Sequence, residues 1–588
     1  MATNEKMRNA ITRTLVVGRV PQRILDRIGC SDCDVLKLRK FPPEREICPA
    51  KRVVVDASFP IFDYLKFAQF LLAVREAVSE GGSLAFVHRC GVSDSFFVYR
   101  DDEFFRNEFA ALWEADFEHS ERTECDGHIV WLLRGRRPLG EAEEKRAALP
   151  WNHLARLFTF ASDNFPMPNY AWVPATFRCN LRCRTCSVRN SPPGKDLSDD
   201  LIDRIFDTVG ASLEVVNVTG IGEPFFSRTW QHLRRRIRER PYRRLEIVTN
   251  GMLLTEDEVR DMMRPENPTI LVVSIDGARK ETFEYVRDRA RWDKLTATMD
   301  MIARLRRELN PGPLFSLGVD FVAIKDNVAE LLELIPRLAE WSVDLLLVIE
   351  MGDWEVNRDF YREQALRFYP RLANEYYDKA RALAAQYPFR LVSIPPNYSE
   401  EVIRMVEADA EPCAQSFLRR CARAVYHKLR RTEVGRRIFS GALALLEWYC
   451  EHPFGVSRKT SQWLQQQVGI SRKDGFGDFG RVRGFCEVVA ERAYFHINGD
   501  VAICCGLMTP IFGNIAKEDF VSVWNSPTWR EFRLRNLFGF PHTSCYYCTL
   551  PYGLPEKNPE NFMAAHRLSD GQNWLAHALR RWRTALRK

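Results

Sequence analysis

Three closely spaced cysteines carry the strongest chemical signal in this sequence: Cys179, Cys183 and Cys186, in the pattern C-x3-C-x2-C. Thiolates are the usual ligands of [4Fe–4S] clusters, so three of them can hold three corners of such a cluster. The fourth iron then keeps an open position, at which a substrate or cofactor can bind directly. Structural zinc sites are the alternative, but they close with four ligands, and no fourth Cys or His follows within this loop. The spacing therefore favours an iron–sulfur cluster with one open iron.

The chain around these cysteines alternates between apolar runs of strand length and charged segments of helical period. Such alternation indicates a parallel sheet with crossover helices. The predicted strands are Ala171–Phe177, Leu213–Val218, Leu245–Val248, Ile270–Ile275, Phe315–Ala323 and Leu345–Ile349. The predicted helices are Leu201–Val209, Glu256–Met263, Trp292–Leu309 and Val328–Glu340. Parallel sheets carry functional loops at the carboxyl ends of their strands, and the cysteines follow the first strand, where that rule expects a site.

Short polar motifs follow three of the later predicted strands. The first is Gly222-Glu223-Pro224, the second Thr249-Asn250-Gly251 and the third Ser274-Ile275-Asp276-Gly277. A glycine lets the backbone approach a ligand closely, and a carboxylate beside it can receive an ammonium group. Asn-Gly and Asp-Gly pairs alone are ordinary turn signals, so the weight of these motifs lies in their order after successive strands.

Together these residues resemble the radical S-adenosylmethionine (SAM) enzymes. The resemblance implies an α/β fold class, with a partial (β/α)6 radical SAM barrel over residues 165–350. It implies that the three-cysteine cluster binds SAM. It assigns the amino group of SAM to Gly222, Glu223 and Pro224, and its ribose or carboxylate to Ser274 and Asp276.

In that family, one electron from the reduced cluster cleaves SAM to a 5′-deoxyadenosyl radical, which removes hydrogen from an unactivated C–H bond. The cofactor supplies this chemistry, while the protein binds, orients and excludes water. The implied cofactors are SAM and its [4Fe–4S] cluster, and the implied partner is a reductase or flavodoxin-type electron donor. No residue is indicated as a substrate base or radical relay. Tyr170, Glu350 and Asp353 lie near predicted strand ends without an assigned role.

A second group of cysteines lies far downstream: Cys486, Cys504, Cys505, Cys545 and Cys548. An Asn-Gly-Asp turn between them, flanked by alternating residues, predicts a hairpin. The segment resembles the C-terminal SPASM/Twitch extension of radical SAM proteins, and the lack of cysteine over residues 549–557 favours the shorter Twitch form with one cluster. By that resemblance Cys486, Cys504, Cys545 and Cys548 bind a second, auxiliary [4Fe–4S] cluster. Cys505 could replace Cys504, and a four-cysteine zinc ribbon is the alternative.

The rest of the chain divides into flanking regions. Residues 1–150 predict a degenerate Rossmann-like or methyltransferase-like domain without a glycine-rich SAM loop. Its predicted strands are Leu15–Val17, Val53–Asp56, Leu84–His88 and Ile129–Leu133, with a helix over Phe62–Val78. Residues 351–480 predict a mostly helical insertion, residues 481–557 the Twitch-like domain, and residues 558–588 a basic C-terminal helix.

Length and composition limit the class of protein. A chain of 588 residues is expected to form roughly two to four domains. The net charge of +7 is a weak bias and does not indicate a nucleic-acid partner. No apolar run reaches the length of a transmembrane helix, and the start lacks the apolar core of a signal peptide. Sixteen cysteines in such a chain indicate a reducing, cytoplasmic compartment and metal ligation.

Three functional hypotheses follow. The first is the oxidation or rearrangement of a small metabolite of sugar or cyclitol type by an oxidoreductase-like enzyme. Its auxiliary cluster could accept the second electron, relay electrons to the SAM cluster or help to shape the pocket. The second is a maturase that modifies a peptide or protein. The third is a non-enzymatic iron–sulfur or zinc-binding interaction protein. The second cluster favours the first hypothesis, but it reports nothing on which C–H bond is attacked.

Overall fold

The computed structural model describes residues 14–17, 20–28, 33–36, 50–56, 64–89, 109–151, 153–187, 189, 194–352, 357–409, 486–504 and 511–537. Most of the predicted insertion, the predicted C-terminal helix, Asp353, Cys505, Cys545 and Cys548 lie outside these residues. Within the described residues, no helix is both long enough and apolar enough to span a bilayer.

An N-terminal sheet has six strands in the order β2-β1-β3-β4-β6-β5. They are β1 (Thr14–Val17), β2 (Cys33–Leu36), β3 (Ala50–Asp56), β4 (Val78–Arg89), β5 (Phe117–Cys125) and β6 (His128–Arg136). The first four run parallel, and β6 lies antiparallel between β4 and β5. All four strands predicted from the sequence are present. The predicted helix is Tyr64–Ala77, and its apolar face is buried against the sheet.

A second sheet has ten strands in the order β13-β12-β11-β10-β9-β8-β7-β14-β15-β16. They are β7 (Tyr170–Trp172), β8 (Val215–Asn217), β9 (Arg244–Thr249), β10 (Thr269–Ser274), β11 (Phe315–Ala323), β12 (Leu345–Glu350), β13 (Leu391–Ser393), β14 (Arg492–Phe495), β15 (Asp500–Ala502) and β16 (Gly513–Asn514). Strands β7 to β12 are parallel and follow one another in chain order. They form the expected partial barrel.

The helices of the described residues are Gln22–Arg27, Tyr64–Ala77, Leu139–Ala147, Leu157–Ala161, Asp199–Val209, Trp230–Arg238, Glu256–Met262, Lys280–Val286, Trp292–Leu309, Leu331–Glu340, Arg358–Gln364, Pro370–Ala384, Glu400–Asp409, Val488–Glu491, Phe520–Trp524 and Pro527–Leu537. Local sequence signals determine where several of these helices begin and end. Ser198 and Thr255 accept hydrogen bonds from the first turns of their helices, as N-caps do. Asn310 takes the left-handed conformation that ends Trp292–Leu309.

The barrel strands have two chemically different faces, because side chains alternate along a strand. Residues such as Val216, Ile247 and Val319 pack with the helices in the main hydrophobic core. The opposite face, which we call the inner face, carries Tyr170, Trp172, Asn217, Glu246, Ser274 and Asp320. Sequential parallel strands with crossovers of one hand place their helices on one side, so the inner face is left for a ligand.

Four strands extend the sheet beyond the six predicted barrel strands, and two of them, β13 and β14, pair directly with the barrel. Strand β13 lies in the region predicted as mostly helical and pairs parallel with β12. Strand β14 pairs parallel with β7, with Arg492 opposite Tyr170. The predicted Asn-Gly-Asp hairpin forms between β14 and β15, which are antiparallel. The C-terminal hairpin is therefore part of the same sheet as the barrel.

The three regions share one hydrophobic core. A single cluster of buried residues includes Phe70 of the N-terminal domain, Leu233 of the barrel and Trp524 of the C-terminal region. The helix Pro527–Leu537 contacts both Tyr64–Ala77 and Leu157–Ala161. Glu531 on that helix accepts a 2.7 Å hydrogen bond from the backbone N–H of Leu65. The C-terminal region is thus fixed to the N-terminal domain as well as to the barrel.

Candidate functional site

The three-cysteine loop follows β7, at the carboxyl end of the parallel strands. Cys179, Cys183 and Cys186 are each half-buried. The backbone N–H groups of Arg182 and Arg184 donate to the carbonyls of Asp288 and Val286, at 3.0 and 2.8 Å. These bonds hold the middle of the loop against the chain that follows the helix Lys280–Val286. The loop therefore presents three thiols at the position predicted from the sequence.

Burial disfavours the charged form of two of these thiols. It raises the pKa of Cys183 to about 12, although the Arg287 guanidinium acts in the opposite direction. Burial also raises the pKa of Cys179, against a hydrogen bond to its sulfur from the N–H of Leu181. The charge of Cys186 raises the pKa of both, so the three thiols lie close enough to influence one another. Metal ligation deprotonates such thiols, so ionisation and metal binding are coupled.

The donor set fits a polynuclear cluster better than a single ion. Across the described ranges, no three His, Cys, Asp or Glu side chains converge on one position as ligands of a single metal ion do. In a [4Fe–4S] cluster each thiolate binds its own iron, so the three sulfurs need not converge on one point. A loop with three mutually influencing thiols and no fourth ligand fits such a cluster with one iron left open.

The segment of Gly222, Glu223 and Pro224 lies directly beside this loop. The N–H of Glu223 donates to the carbonyl of Arg178 at 2.9 Å, one residue before Cys179. A Cβ on Gly222 would lie 2.4 Å from the Thr176 carbonyl oxygen and 2.6 Å from that of Arg178. Pro224 is buried and begins a short 3-10 turn. The glycine is therefore required because two stretches of backbone approach each other here.

The Glu223 carboxylate is buried and engaged with the next strand end. Its Oε1 accepts from the Thr249 hydroxyl at 2.7 Å and from the Phe225 N–H at 3.4 Å. Its Oε2 accepts from the Asn250 N–H at 2.8 Å. Burial raises the pKa of Glu223, and these donors oppose the rise. A carboxylate has about four acceptor positions, so Oε2 keeps one for a further donor such as an ammonium group.

Alanine at Gly222 is expected to destabilise the protein by about 1–3 kcal/mol and to weaken SAM binding, because its Cβ overpacks fixed backbone. Gly140 is the matched control, since no atom lies within 4 Å of a Cβ built there. In the helix Leu139–Ala147, Gly140→Ala is expected to be neutral or stabilising by up to about 1 kcal/mol. Urea unfolding midpoints of both variants measure the difference. Equal urea unfolding midpoints for Gly222→Ala and the parent protein would contradict the close approach of the Thr176 and Arg178 backbone to Gly222.

Ser274 and Asp276 are present at the end of β10, but the protein already uses Asp276. Its Oδ1 accepts from the Val322 N–H at 2.8 Å, and its Oδ2 pairs with Arg287 Nε at 2.9 Å. Asp276 is fully buried. Its predicted contact with the ribose or carboxylate of SAM stays a prediction, and the observed partners give it a role in holding Arg287 next to Cys183.

Sequence reasoning assigned no role to three polar residues of this site. Asn250 donates to Asn180 Oδ1 at 2.8 Å and lies 4.0 Å from Cys179 Sγ. Arg287 is buried beside Asp276 and Cys183. Asp320, on the inner face of β11, has a buried Oδ1 without a hydrogen-bond partner, and burial raises its pKa. Only Asn250 had a local signal, the turn after β9, because the other two acquire their neighbours through tertiary contacts.

The inner face carries a second polar group, nearer the amino ends of the strands. The hydroxyl of Tyr170 donates to Glu246 Oε2 at 2.6 Å. Asn217 Nδ2 donates to the Tyr170 oxygen at 2.9 Å and to Glu246 Oε2 at 3.2 Å. Burial, with the charge of Glu246, raises the pKa of Tyr170. The guanidinium of Arg492, on β14, lies 4.3 Å from the centre of the Tyr170 ring. Of the residues left without a role by the sequence, Tyr170 thus faces the barrel interior.

Glu350, which the sequence analysis also left without a role, hydrogen-bonds to residues outside the barrel strands. Its two carboxylate oxygens accept from the hydroxyls of Tyr377, at 3.0 Å, and Tyr398, at 2.5 Å. Tyr377 belongs to the helix Pro370–Ala384 and is fully buried in the main core. Burial raises the pKa of Glu350, against the two tyrosine hydrogen bonds. The carboxylate therefore fastens the end of β12 to the region that follows the barrel.

Two of the four cysteines predicted to bind the auxiliary cluster, Cys486 and Cys504, are described. They lie at the end of the sheet opposite to the three-cysteine loop. Cys486 precedes the helix Val488–Glu491, which leads into Arg492 at the amino end of β14. Cys504 follows β15, whose Ala502 is opposite Tyr494, so the returning strand brings Cys504 back to the level of Arg492. Both cysteines are half-buried. Cys545 and Cys548 lie outside the described residues, so their place in the set stays a prediction.

Comparison with known protein families adds two matches. Residues 173–335 match the radical SAM superfamily, and residues 486–549 match an iron–sulfur cluster-binding domain, SPASM. The first match spans the cysteine loop and the barrel strands β8 to β11. The second spans Cys486, Cys504, Cys545 and Cys548.

Part of the chain is also similar to individual proteins. It is 27% identical over 186 residues to the tungsten-containing aldehyde ferredoxin oxidoreductase cofactor-modifying protein of Pyrococcus furiosus, covering 30% of this chain and 50% of that protein. It is 26% identical over 136 residues to the antilisterial bacteriocin subtilosin biosynthesis protein AlbA of Bacillus subtilis, covering 22% and 29%. The chain thus spans about half or less of these relatives.

Among solved structures, the chain is similar to Streptococcus suis SuiB bound to the precursor peptide SuiA. The two share 13% sequence identity, the superposition covers 79% of this chain and 90% of that chain, and the TM-score is 0.42.

Proposed function

We propose that this chain is a radical SAM enzyme that removes hydrogen from a C–H bond of a polar substrate held on the inner face of the barrel, and completes a two-electron oxidation. Its residues 173–335 match the radical SAM superfamily, and its residues 486–549 match the iron–sulfur SPASM domain. The observation that carries the proposal is the position of Cys179, Cys183 and Cys186 beyond the carboxyl end of β7 and of Cys486 and Cys504 near the amino end of β14, with a polar face between them.

The residues at the carboxyl end would hold the cofactors. Cys179, Cys183 and Cys186 would ligate the [4Fe–4S] cluster, and the Gly222–Pro224 segment would receive the amino group of SAM. When bound, that cluster and SAM supply a 5′-deoxyadenosyl radical. The chain keeps this end ordered through Glu223, which ties the strand end at Asn250 to the cysteine loop. Arg287 balances the negative charge of Asp276 and of ligated thiolates.

The inner face supports a substrate rich in hydroxyl or amino groups. Asp320 and Ser274 lie side by side on β11 and β10, near the cysteine loop. Glu246 is level with Ile270, four residues earlier on β10, which is about 13 Å farther along the strand. Several hydrogen-bonding groups spread over such a length suit a small metabolite of sugar or cyclitol type, and the side-chain oxygens of Asp320 can accept from its donors.

A second candidate is the modification of a peptide or protein. The observation in its favour is the similarity of part of the chain to AlbA, a protein of bacteriocin biosynthesis. A peptide could lie along the same inner face and offer one residue to the radical. The hypothesis of a non-enzymatic interaction protein has no comparable support, because the radical SAM match covers both the cysteine loop and the Glu223 segment.

Anaerobic reconstitution of the full chain tests the proposal. With about eight irons per chain, two [4Fe–4S] clusters, and dithionite as the electron source, the protein is expected to cleave SAM to 5′-deoxyadenosine. A panel of cyclitols and amino sugars is then compared with peptides encoded beside the gene. The class of compound that contains the substrate is expected to stimulate SAM cleavage. Its product is expected to have two hydrogens fewer than the substrate.

The outcomes separate the two candidates. Stimulation by a cyclitol or amino sugar supports the first, and stimulation by a peptide supports the second. A flavodoxin with its reductase in place of dithionite tests the proposed electron donor. No 5′-deoxyadenosine from protein that carries both clusters would overturn the proposed function altogether.

A further inference from the structure

The cysteine loop carries a group of arginines that continues into a second segment of the chain. Arg182, Arg184 and Arg189 lie within or just after the loop, and Arg289 follows the helix Lys280–Val286. The backbone N–H groups of Arg182 and Arg184 hold the two segments together, as described above. We call these four residues the loop arginines. Because they come from two hydrogen-bonded segments, they form one group beside the three thiols.

The loop arginines have one anionic partner in the described part of the chain. Arg189 Nη1 lies 3.3 Å from Asp288 Oδ2 and donates to the carbonyl of Arg182 at 2.6 Å. Arg182 in turn donates through its Nη1 to the carbonyls of Cys179 and Leu181, at 3.4 and 3.2 Å. Carbonyl oxygens accept these bonds without neutralising the charge. Four cations and one anion leave the group with an excess of positive charge.

Arg289 is the loop arginine that is freely available to a partner. It is exposed, and its side chain makes no hydrogen bond or ion pair with any residue that the structure describes. Its φ of 77° lies in the left-handed region, which a residue other than glycine seldom adopts. Strained backbone of this kind clusters at active sites and ligand clamps. The fold therefore holds an unpaired charge at the surface, next to the cysteine loop.

Tyr285 adds an exposed aromatic side chain to this surface. It is 45% exposed, and the Arg184 guanidinium lies 4.1 Å from the centre of its ring. Arg184 Nε also donates to the Tyr285 carbonyl at 2.9 Å, so the stacked pair is fixed at both ends. Tyrosine and arginine are among the residues that contribute most binding energy at protein interfaces. The surface thus combines an aromatic anchor with an excess of positive charge.

The chemistry of the loop indicates which partner would use this surface. Cys183 lies between Arg182 and Arg184 in the chain, so a cluster on these thiols lies next to the positive group. Such a cluster must receive an electron before it can cleave SAM, and electron transfer becomes rapidly slower with distance. The substrate, by contrast, is placed on the inner face in the proposed function. An electron carrier is therefore the partner that needs this surface.

We propose that the loop arginines and Tyr285 form the docking surface of the electron donor, a small flavodoxin-type carrier with an acidic docking face. The inference rests on the proposed function, because the donor serves the catalytic cluster. In the docked complex the reduced carrier loses one electron and the cluster gains it, with no transfer of a proton or a group. Electrostatic complementarity speeds such encounters, and electron-transfer complexes are small, below about 1,200 Å² of buried surface.

The first test measures binding, not activity. Oxidised, acidic flavodoxin is titrated into the reconstituted full chain in a calorimeter at about 10 mM salt, where charges are screened over about 30 Å. Arg289→Glu is expected to raise the Kd at least about tenfold, because it places like charges opposite each other. At about 150 mM salt, with screening over about 8 Å, the difference from the parent is expected to shrink.

The second test compares two electron sources for the cleavage of SAM. With flavodoxin and its reductase, Arg289→Glu is expected to form 5′-deoxyadenosine at least about tenfold more slowly than the parent at low salt. With excess dithionite, which needs no docking surface, the two proteins are expected to react alike. Tyr285→Ala changes no charge and is expected to raise the Kd for flavodoxin at least about fivefold at either salt concentration.

Arg264 provides the matched control. It is an exposed arginine whose side chain has no partner among the described residues, and it lies between the helix Glu256–Met262 and β10, at the amino ends of the strands. Arg264→Glu makes the same change in net charge and is expected to keep the parental Kd. An equal loss of affinity in Arg264→Glu and Arg289→Glu would reduce the effect to net charge and overturn the proposal.

Three other results would also overturn it. One is parental affinity for flavodoxin in Arg289→Glu, or in Tyr285→Ala if Arg289→Glu fails to retain iron. Another is an equal fall in cleavage with dithionite, which would show that Arg289 acts on the loop itself. The third is normal flavodoxin binding with a lost response to a peptide under dithionite, which would assign the surface to an acidic substrate.

Failure of the proposed function would look different. It would appear in the parent as the absence of 5′-deoxyadenosine with dithionite, before any change at Arg289 or Tyr285. Cleavage by the parent with dithionite, together with flavodoxin binding that is independent of Arg289, would leave the radical SAM function in place and remove only the docking surface.

Discussion

Serine at Cys183 is expected to abolish reductive cleavage of SAM and to lower the iron content from about eight to about four per chain. Cys183 is the middle cysteine of the loop, and burial raises the pKa of its thiol to about 12, so binding to a metal would favour its ionised form. A serine oxygen does not replace a thiolate as a cluster ligand. Iron analysis and chromatography of 5′-deoxyadenosine measure both effects on the anaerobically reconstituted protein.

Cys125 supplies the control for this substitution. It is a buried free cysteine at the end of β5, in the N-terminal domain. Cys125→Ser is expected to keep full iron content and SAM cleavage. Survival of 5′-deoxyadenosine formation in Cys183→Ser would remove the catalytic cluster from this loop.

Methionine at Arg287 is expected to destabilise the protein by about 3–5 kcal/mol, the range for removing one partner of a buried ion pair. Asp276 would keep a fully buried carboxylate, because its exposed fraction is 0% and that of Arg287 only 7%. The 2.9 Å contact between Arg287 Nε and Asp276 Oδ2 would be lost. Unfolding of the cluster-free protein in urea measures the change without the contribution of bound iron.

A double variant separates the buried charge from the loss of packing. Asp276→Asn combined with Arg287→Met leaves no unpaired carboxylate, so it is expected to be more stable than Arg287→Met alone. A double variant that is less stable than the single one would show that Arg287 acts through packing. A loss below about 1 kcal/mol for the single variant, the usual range of exposed pairs, would show that the pair is solvated.

The elements that the sequence predicts well are those with strong local periodicity. Trp292–Leu309 and Phe315–Ala323 have the predicted bounds, because an amphipathic helix of 18 residues and a strand of nine carry a clear period. The cysteine loop and the Glu223 segment were likewise found by local pattern and strand order. Strand β13 was missed, because its three residues, Leu391–Ser393, show no buried face.

Features made by distant contacts could not be predicted in this way. Arg287 is an ordinary basic residue at the end of a helix, and only the folded chain shows that it is buried beside Asp276 and Cys183. The same holds for Asp320, whose neighbours come from β10 and from the helix end at Arg287. Local sequence fixes which way a strand residue faces, but not which charges the fold brings to it.

The pairing of β14 with β7 has a consequence for synthesis of the chain. Strand β7 cannot pair with β14 until Arg492, the residue opposite Tyr170, has been synthesised. At ordinary rates of translation Arg492 emerges from the ribosome on the order of 20–60 s after Tyr170. Until then β7 is an open edge, the type of strand that templates intermolecular association. Truncation before residue 492 is therefore expected to leave a barrel prone to aggregation, and expression hosts that shield nascent chains should improve the yield of intact protein.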